Sequence, residues 1–167
     1  NWGTPENFNH GSMHYWGVWH GDDDFNGFSQ NVGRFMVEWG FQSFPDYDLL
    51  AEYISHENLR LDSEVMKNRQ KSYVGNGKIL EFMQQYATYG GNPKELLSFQ
   101  EFCRNSQWVQ SLGYHQAIKA HIDAQPHCMG TLLWQLNDCW PGPSWSIINY
   151  NGKPKPAYEK VKEEFNR

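Results

Sequence analysis

The sequence predicts an α/β fold in which parallel strands alternate with helices. Three short apolar runs, in residues 12–21, 34–43 and 128–138, each lead directly into polar and aromatic residues. Short runs bounded by glycine are typical of strands in a parallel sheet that helices cover on both faces. Between the second and third runs, apolar residues recur at three- and four-residue intervals, which indicates helices.

Size and charge limit the classes of function. The 167 residues suffice for one domain with a core of its own, and the net charge of -5 provides no basic surface for a phosphate backbone. No apolar run approaches the roughly 18 residues of a membrane-spanning helix. We therefore expect neither nucleic acid nor a membrane as a partner. The first residue is Asn1 rather than methionine, so we expect the true N-terminus upstream, and the sequence leaves the localisation open.

Metal and cofactor sites are not indicated. Three cysteines without CxxC spacing argue against a disulfide framework and a thiolate zinc site. On an extended strand His14 and His20 would lie about 20 Å apart, too far for one ion. The acidic triplet at residues 22–24 lacks the spaced ligands of an EF-hand and is predicted to be a solvated loop.

The first run, HYWGVWHG at residues 14–21, predicts a strand that continues into a loop. The second run ends at Glu38, and the carboxyl ends of parallel strands are where α/β proteins carry ligand-binding and catalytic side chains. The alternative for Glu38 is an ion pair with Arg34 at the edge of the core.

Helical periodicity and end signals predict four main helices. One begins after Pro45, and a partly helical stretch follows it. The others cover residues 78–89, residues 98–124 and residues 157–165. Residues 98–124 form either one long helix or a pair of helices bent near Gly113, where glycine weakens the helix. The third run, residues 128–138, predicts another buried strand.

Aromatic residues make up 16% of the chain and include eight tryptophans. They cluster beside the predicted strand ends, where flat rings suit the C–H faces of sugars. Three parallel strands cannot close a barrel, and an eight-stranded barrel takes about 250 residues, so we expect the C-terminal part of a larger barrel.

Residues 14–21, 34–43 and 130–140 together resemble the β-mannosidases of glycoside hydrolase family 2, in the family's order and over nearly the whole chain. The resemblance implies a retaining exo-glycosidase that removes terminal non-reducing β-D-mannose on a (β/α)8 TIM barrel, without a cofactor. The three segments would be strands six to eight. Residues 1–167 would be a partial catalytic domain, and the N-terminal half of the barrel, the implied partner of this chain, would lie upstream.

The same resemblance implies roles for individual residues. Glu38 matches the nucleophile, and Trp134 matches the aromatic residue that faces the terminal sugar. The pocket would also contain residues of the strand-six segment and two further tryptophans, namely His14, Tyr15, Trp16, Trp39 and Trp140. Trp39 stands where the family more often has tyrosine, which keeps a ring and loses a hydroxyl.

The acid/base carboxylate is missing from the pattern. In the family it follows an asparagine, and no Asn-Glu pair stands upstream of Glu38. Asp138 is the other acid at a strand end and is expected to have a structural role in its loop. We therefore predict that the chain alone is inactive.

Three alternatives stay open at this stage. The nearest is another family 2 exo-glycosidase, acting on β-glucosaminides, β-glucuronides or β-galactosides. The second is a non-catalytic carbohydrate-binding module with Trp16, Trp134 and Trp140 as its stacking platform. In the third, the aromatic residues form core alone.

Overall fold

The computed structural model describes residues 7–87 and 91–167, where helices pack around a small parallel sheet. The strands are β1 (Ser12–His14) and β2 (Phe35–Glu38). The helices are α1 (Gly27–Gln30), α2 (Tyr47–Tyr53), α3 (Glu64–Arg69), α4 (Gly77–Tyr86), α5 (Pro93–Leu96), α6 (Phe99–Asp123) and α7 (Pro156–Phe165), with a 3-10 turn at His56–Asn58. Helices α1 and α5 were not predicted. The last residues of the predicted helix over 78–89 lie outside the described residues.

The three predicted strand segments lie side by side and run parallel. β1 pairs with β2, and a parallel bridge between Met36 and Thr131 brings the third segment against the other edge of β2. Backbone hydrogen bonds from Met36 to Gly130 (2.9 Å) and from Leu132 to Met36 (2.7 Å) continue this contact. The predicted parallel order of the segments is therefore present.

The third segment departs from the prediction of a buried strand. Its pairing consists of isolated bridges at Thr131, with Met36, and at Asn137, with Ile148. The side chains of Leu132, Trp134 and Leu136 are 56%, 44% and 58% exposed. A strand inside a parallel sheet has partners on both edges. Within the described residues, this segment has a bridge to β2 at Thr131 and a bridge to Ile148 at Asn137, and no continuous strand partner runs along it, in keeping with its irregular backbone.

Within residues 7–87 and 91–167, helices cover one face of the sheet and leave the other open. Met13 and Met36 point to this face and are buried, whereas Phe35, the neighbour of Met36, is 37% exposed. The prediction that β2 is covered on both faces is therefore wrong for this chain. Because side chains alternate along a strand, Phe35 lies on the open face when Met36 lies on the covered one.

Helix α6 is one continuous helix of 25 residues. A capping box between Ser98 and Glu101 begins it, and it packs against α7. Gly113 does not interrupt it. A Cβ at this position would lie 2.6 Å from the ring of Phe25, so the glycine permits close packing rather than a bend. No helix in the described ranges has both the length and the apolar character to cross a membrane.

Candidate active site

The carboxylate of Glu38 lies at the end of β2, beside two side chains of the β1 segment. The indole Nε1–H of Trp16 donates a hydrogen bond of 2.9 Å to Oε1. Nε2 of His14 lies 3.8 Å from Oε2. The Glu38 side chain is 30% exposed, so a ligand can reach it. Its ion-pair partner among the described residues is His14 rather than Arg34.

A bulge in β2 gives Glu38 this direction. Met13 lies opposite Met36, but His14 then lies opposite Glu38, which leaves Val37 as an extra residue in β2. In an unbroken strand Glu38 would share the helix-covered face with Met36. The extra residue turns the carboxylate to the open face, where His14 lies. Bulges commonly redirect side chains in this way beside active sites.

An aromatic wall extends from Trp16. Its ring meets Trp145 edge-on at a centroid distance of 6.0 Å, and Trp145 meets Trp19 at 5.8 Å. On its other side, Trp16 contacts His20 at 5.3 Å. Burial lowers the pKa of His20, which favours a neutral imidazole at neutral pH. Trp145 was not among the predicted site residues, although the aromatic composition of its loop was a signal for it.

Trp134 lies at the same end of the sheet as Glu38. Its backbone N–H donates to the carbonyl of Trp39, the residue after Glu38, at 2.8 Å. Its own carbonyl accepts from the hydroxyl of Tyr114 at 2.9 Å, and the peptide bond that follows it is cis. The backbone is thus fixed on both sides while the indole stays 44% exposed. The ring is thus accessible to a ligand, and its contact with sugar stays a prediction.

Tyr15 and Trp39 were predicted to bind substrate, and the structure places both in the core. Tyr15 is 4% exposed, and its hydroxyl donates to Asp23 on the helix-covered side of β1. Trp39 has no exposed surface, and its Nε1–H donates to Thr131 at 2.8 Å. Further polypeptide packed on this chain could only bury these rings more. Strand alternation explains the error, because Tyr15 lies between the outward-facing His14 and Trp16.

Trp140 is half-buried in the loop after the third segment. Lys71 Nζ lies 4.6 Å and Arg69 Cζ lies 5.4 Å from the centroid of its ring. These are cation–π contacts, and they join this loop to the C-terminal end of α3 and the residues that follow it. Within the described residues the recorded contacts of this ring are with the two cations, so the structure does not bring Trp140 directly against Glu38.

Asp138 has the structural role that its position predicted. It is buried, it accepts a hydrogen bond from the hydroxyl of Ser144, and its other oxygen lies 3.6 Å from Nζ of Lys155. A carboxylate that is held in this way within its loop is not free to act as the second catalytic acid.

Known proteins resemble the chain over almost its full length. The β-mannosidases B of Aspergillus niger and Aspergillus terreus are each 32% identical to it over 162 residues, which is 93% of this chain. The crystal structure of a β-D-mannosidase from Dictyoglomus thermophilum superimposes with a TM-score of 0.86 at 34% identity over 96% of this chain. No protein-family model matches.

The chain is therefore similar to the β-mannosidases of glycoside hydrolase family 2. It spans 18% of the length of the two Aspergillus β-mannosidases and 19% of the Dictyoglomus chain. The family that the sequence segments resemble is thereby confirmed.

Gly40 lets the two halves of the candidate site, the end of β2 and the Trp134 segment, approach each other. A Cβ at position 40 would overlap the carbonyl oxygen of Trp134 and lie 3.0 Å from the hydroxyl of Tyr114. We expect Gly40→Ala to displace Trp134 and to destabilise the fold by about 1–3 kcal/mol, the usual range for overpacking. Thermal unfolding and kcat/KM of the full-length protein measure the two effects.

The matched control is Gly77→Ala, because a Cβ on Gly77 meets nothing within 4 Å. Its Tm and kcat/KM should stay at wild-type values. If Gly40→Ala behaved like this control, Trp134 would not depend on the close approach at Gly40.

Proposed function

We propose that this chain carries the nucleophile of a retaining exo-β-mannosidase, and that Glu38 is that nucleophile. The observation that carries the proposal is the position of Glu38, at the end of β2 on the open face of the sheet, with Trp16 donating to one oxygen. The family relationship supplies the substrate class, since the relatives named above are β-mannosidases.

In this mechanism Glu38 attacks the anomeric carbon of the terminal mannose as the leaving oxygen departs. The bond from the anomeric carbon to the leaving oxygen breaks, and a bond to a Glu38 oxygen forms. The Trp16 hydrogen bond holds Oε1, so the carboxylate stays oriented while Oε2 faces the open side. Water then hydrolyses the glycosyl-enzyme, and mannose leaves with its β configuration retained.

The second carboxylate comes from outside this chain. A retaining pair needs two carboxyl groups about 5–5.5 Å apart, one of which protonates the leaving oxygen and later activates water. Among the described residues, the groups recorded as hydrogen-bond or ion-pair partners of Glu38 are Trp16 and His14, and neither is a carboxylate.

The uncovered face of the sheet supports the same domain assignment. Parallel sheets are covered on both faces, yet here Phe35 is 37% exposed and Leu132, on the adjoining segment, is 56% exposed. In the proposed domain, β1, β2 and the third segment are strands six, seven and eight of a (β/α)8 barrel. The strands upstream cover the open face and pair with the free edges.

A substrate panel on the full-length protein tests the proposal. We expect hydrolysis of 4-nitrophenyl β-mannoside to exceed that of the matching β-glucosaminide, β-glucuronide and β-galactoside. Proton NMR should show β-mannose as the first product. The 167-residue chain alone should not hydrolyse any of them, because it lacks the acid/base.

Two results would contradict the proposal. α-Mannose as the first product would exclude a covalent intermediate on Glu38. Full activity of the chain alone would show that no second carboxylate is missing. If the enzyme preferred another glycoside in the panel, the retaining mechanism on Glu38 would still stand, but the substrate would not be a β-mannoside.

A further inference from the structure

The loop of residues 70–76 is fixed to the elements that carry the site. Nε1–H of Trp19 donates to the Ser72 hydroxyl at 3.0 Å. The Gln70 amide donates to Gln42, four residues beyond Glu38, at 2.8 Å, and to Asn76 at 2.7 Å. Within the loop, the N–H of Ser72 donates to the Gln70 side chain at 2.9 Å. The loop therefore has a defined position relative to the site.

This loop presents a flat ring to solvent. Tyr73 is 85% exposed, and its ring stacks on His20 at a centroid distance of 5.1 Å and an interplanar angle of 12°. A single exposed aromatic side chain is common on protein surfaces. Tyr73 differs because one face is held against His20 and the other is free. The stack on His20 favours one orientation of the ring, so less conformational freedom is lost when a ligand binds.

Tyr73 connects to the candidate nucleophile through ring contacts. His20 lies 5.3 Å from Trp16, and Trp16 donates to Glu38. The row Tyr73, His20, Trp16 thus begins at an open surface and ends at the carboxylate. In an exo-enzyme the terminal sugar occupies the position at the nucleophile, so such a row leads toward the remainder of the substrate.

We propose that Tyr73, backed by His20, is a binding subsite for a sugar unit on the leaving-group side of a β-mannoside chain; this inference rests on the proposed function. A flat, immobilised ring with one free face matches the C–H face of a pyranose. The proposed subsite gives a role to Tyr73, whose side chain is 85% exposed and yet stacked on His20.

The test compares substrates of different length in the full-length enzyme. Methyl β-mannoside has no sugar unit that could reach Tyr73, whereas β-1,4-linked mannobiose, mannotriose and mannotetraose extend progressively farther. We expect Tyr73→Ala to lower kcat/KM for at least one of the oligosaccharides about tenfold, the scale of a lost aromatic anchor. For methyl β-mannoside, kcat/KM should change less than about twofold.

Two variants serve as controls. Tyr73→Phe keeps the ring and should retain wild-type kcat/KM on every substrate. Tyr53→Ala removes another exposed tyrosine, 50% exposed on α2 and packed against Tyr150, and should leave the whole panel unchanged.

Each other outcome overturns the inference. Wild-type values for Tyr73→Ala on all oligosaccharides would show that the ring binds no sugar. An equal loss on methyl β-mannoside would assign Tyr73 to loop structure instead. If the wild-type enzyme hydrolysed none of the mannosides, the proposed function would fail and the subsite with it, whereas the first two outcomes leave that function intact.

Discussion

Replacing Glu38 with alanine in the full-length protein is expected to lower kcat/KM for 4-nitrophenyl β-mannoside by at least about ten-thousand-fold. The reason is chemical: without this carboxylate no group forms the glycosyl-enzyme, and water must attack directly. Initial rates over a range of substrate concentrations measure the loss. Because the side chain is partly exposed, the substitution should leave Tm close to the wild-type value.

Two further variants separate chemistry from structure. Glu38→Gln keeps the shape of the side chain and an oxygen for the Trp16 hydrogen bond, so it should fold normally and still be inactive. Glu163→Ala removes an exposed carboxylate that pairs with Lys160 and should leave kcat/KM unchanged. A loss below about tenfold for both Glu38 variants would rule out covalent catalysis at this residue.

Replacing Lys155 with methionine is expected to destabilise the protein by about 3–5 kcal/mol, the range for breaking a buried ion pair. Lys155 has no exposed side-chain surface, and its Nζ lies 3.6 Å from Asp138 Oδ2 and 3.5 Å from the Ser43 hydroxyl. Burial lowers the pKa of Lys155, and the Asp138 carboxylate opposes that effect. Without the ammonium, Asp138 would remain as an uncompensated buried charge. A fall in Tm of the full-length protein measures the effect.

The charge explanation has its own control. In the double variant Lys155→Met with Asp138→Asn no charge remains buried, so a large part of the lost stability should return. Lys160→Met breaks an exposed pair with Glu163 and should barely change Tm. If the double variant were as unstable as Lys155→Met alone, packing or the Ser43 contact would account for the loss instead of charge.

The sequence was sufficient for the parts of the fold that depend on local pattern. The period of apolar residues predicted α6 over nearly its full length, and the apolar run that ends in a carboxylate predicted β2 with Glu38 at its end. The parallel order of the three segments followed from their similar composition and from the long helical stretch between the second and third segments.

Features that depend on how β1 and β2 pair could not be predicted from the sequence. The extra residue Val37 becomes a bulge only when β2 pairs with β1, because neither strand alone defines the register. The same limit affected the predicted binding residues. Whether Tyr15 and Trp39 face the open side or the core depends on that register and on the helices behind it, and both rings are buried.

The prediction of a buried strand at residues 128–138 was wrong for a different reason. Its composition is that of a buried strand, but composition cannot state which partner buries it. In the described residues one edge meets β2, and Leu132 and Leu136 on this segment stay exposed. The proposed barrel provides the missing neighbour.

Covalent labelling tests the role of Glu38 most directly. The full-length protein would be inactivated with 2-deoxy-2-fluoro-β-mannosyl fluoride, which forms the glycosyl-enzyme and hydrolyses slowly, then digested and sequenced by mass spectrometry. We predict one fluoromannosyl group, on the peptide that contains Glu38 and on that carboxylate. A label on any other residue, or inactivation without a label, would contradict Glu38 as the nucleophile.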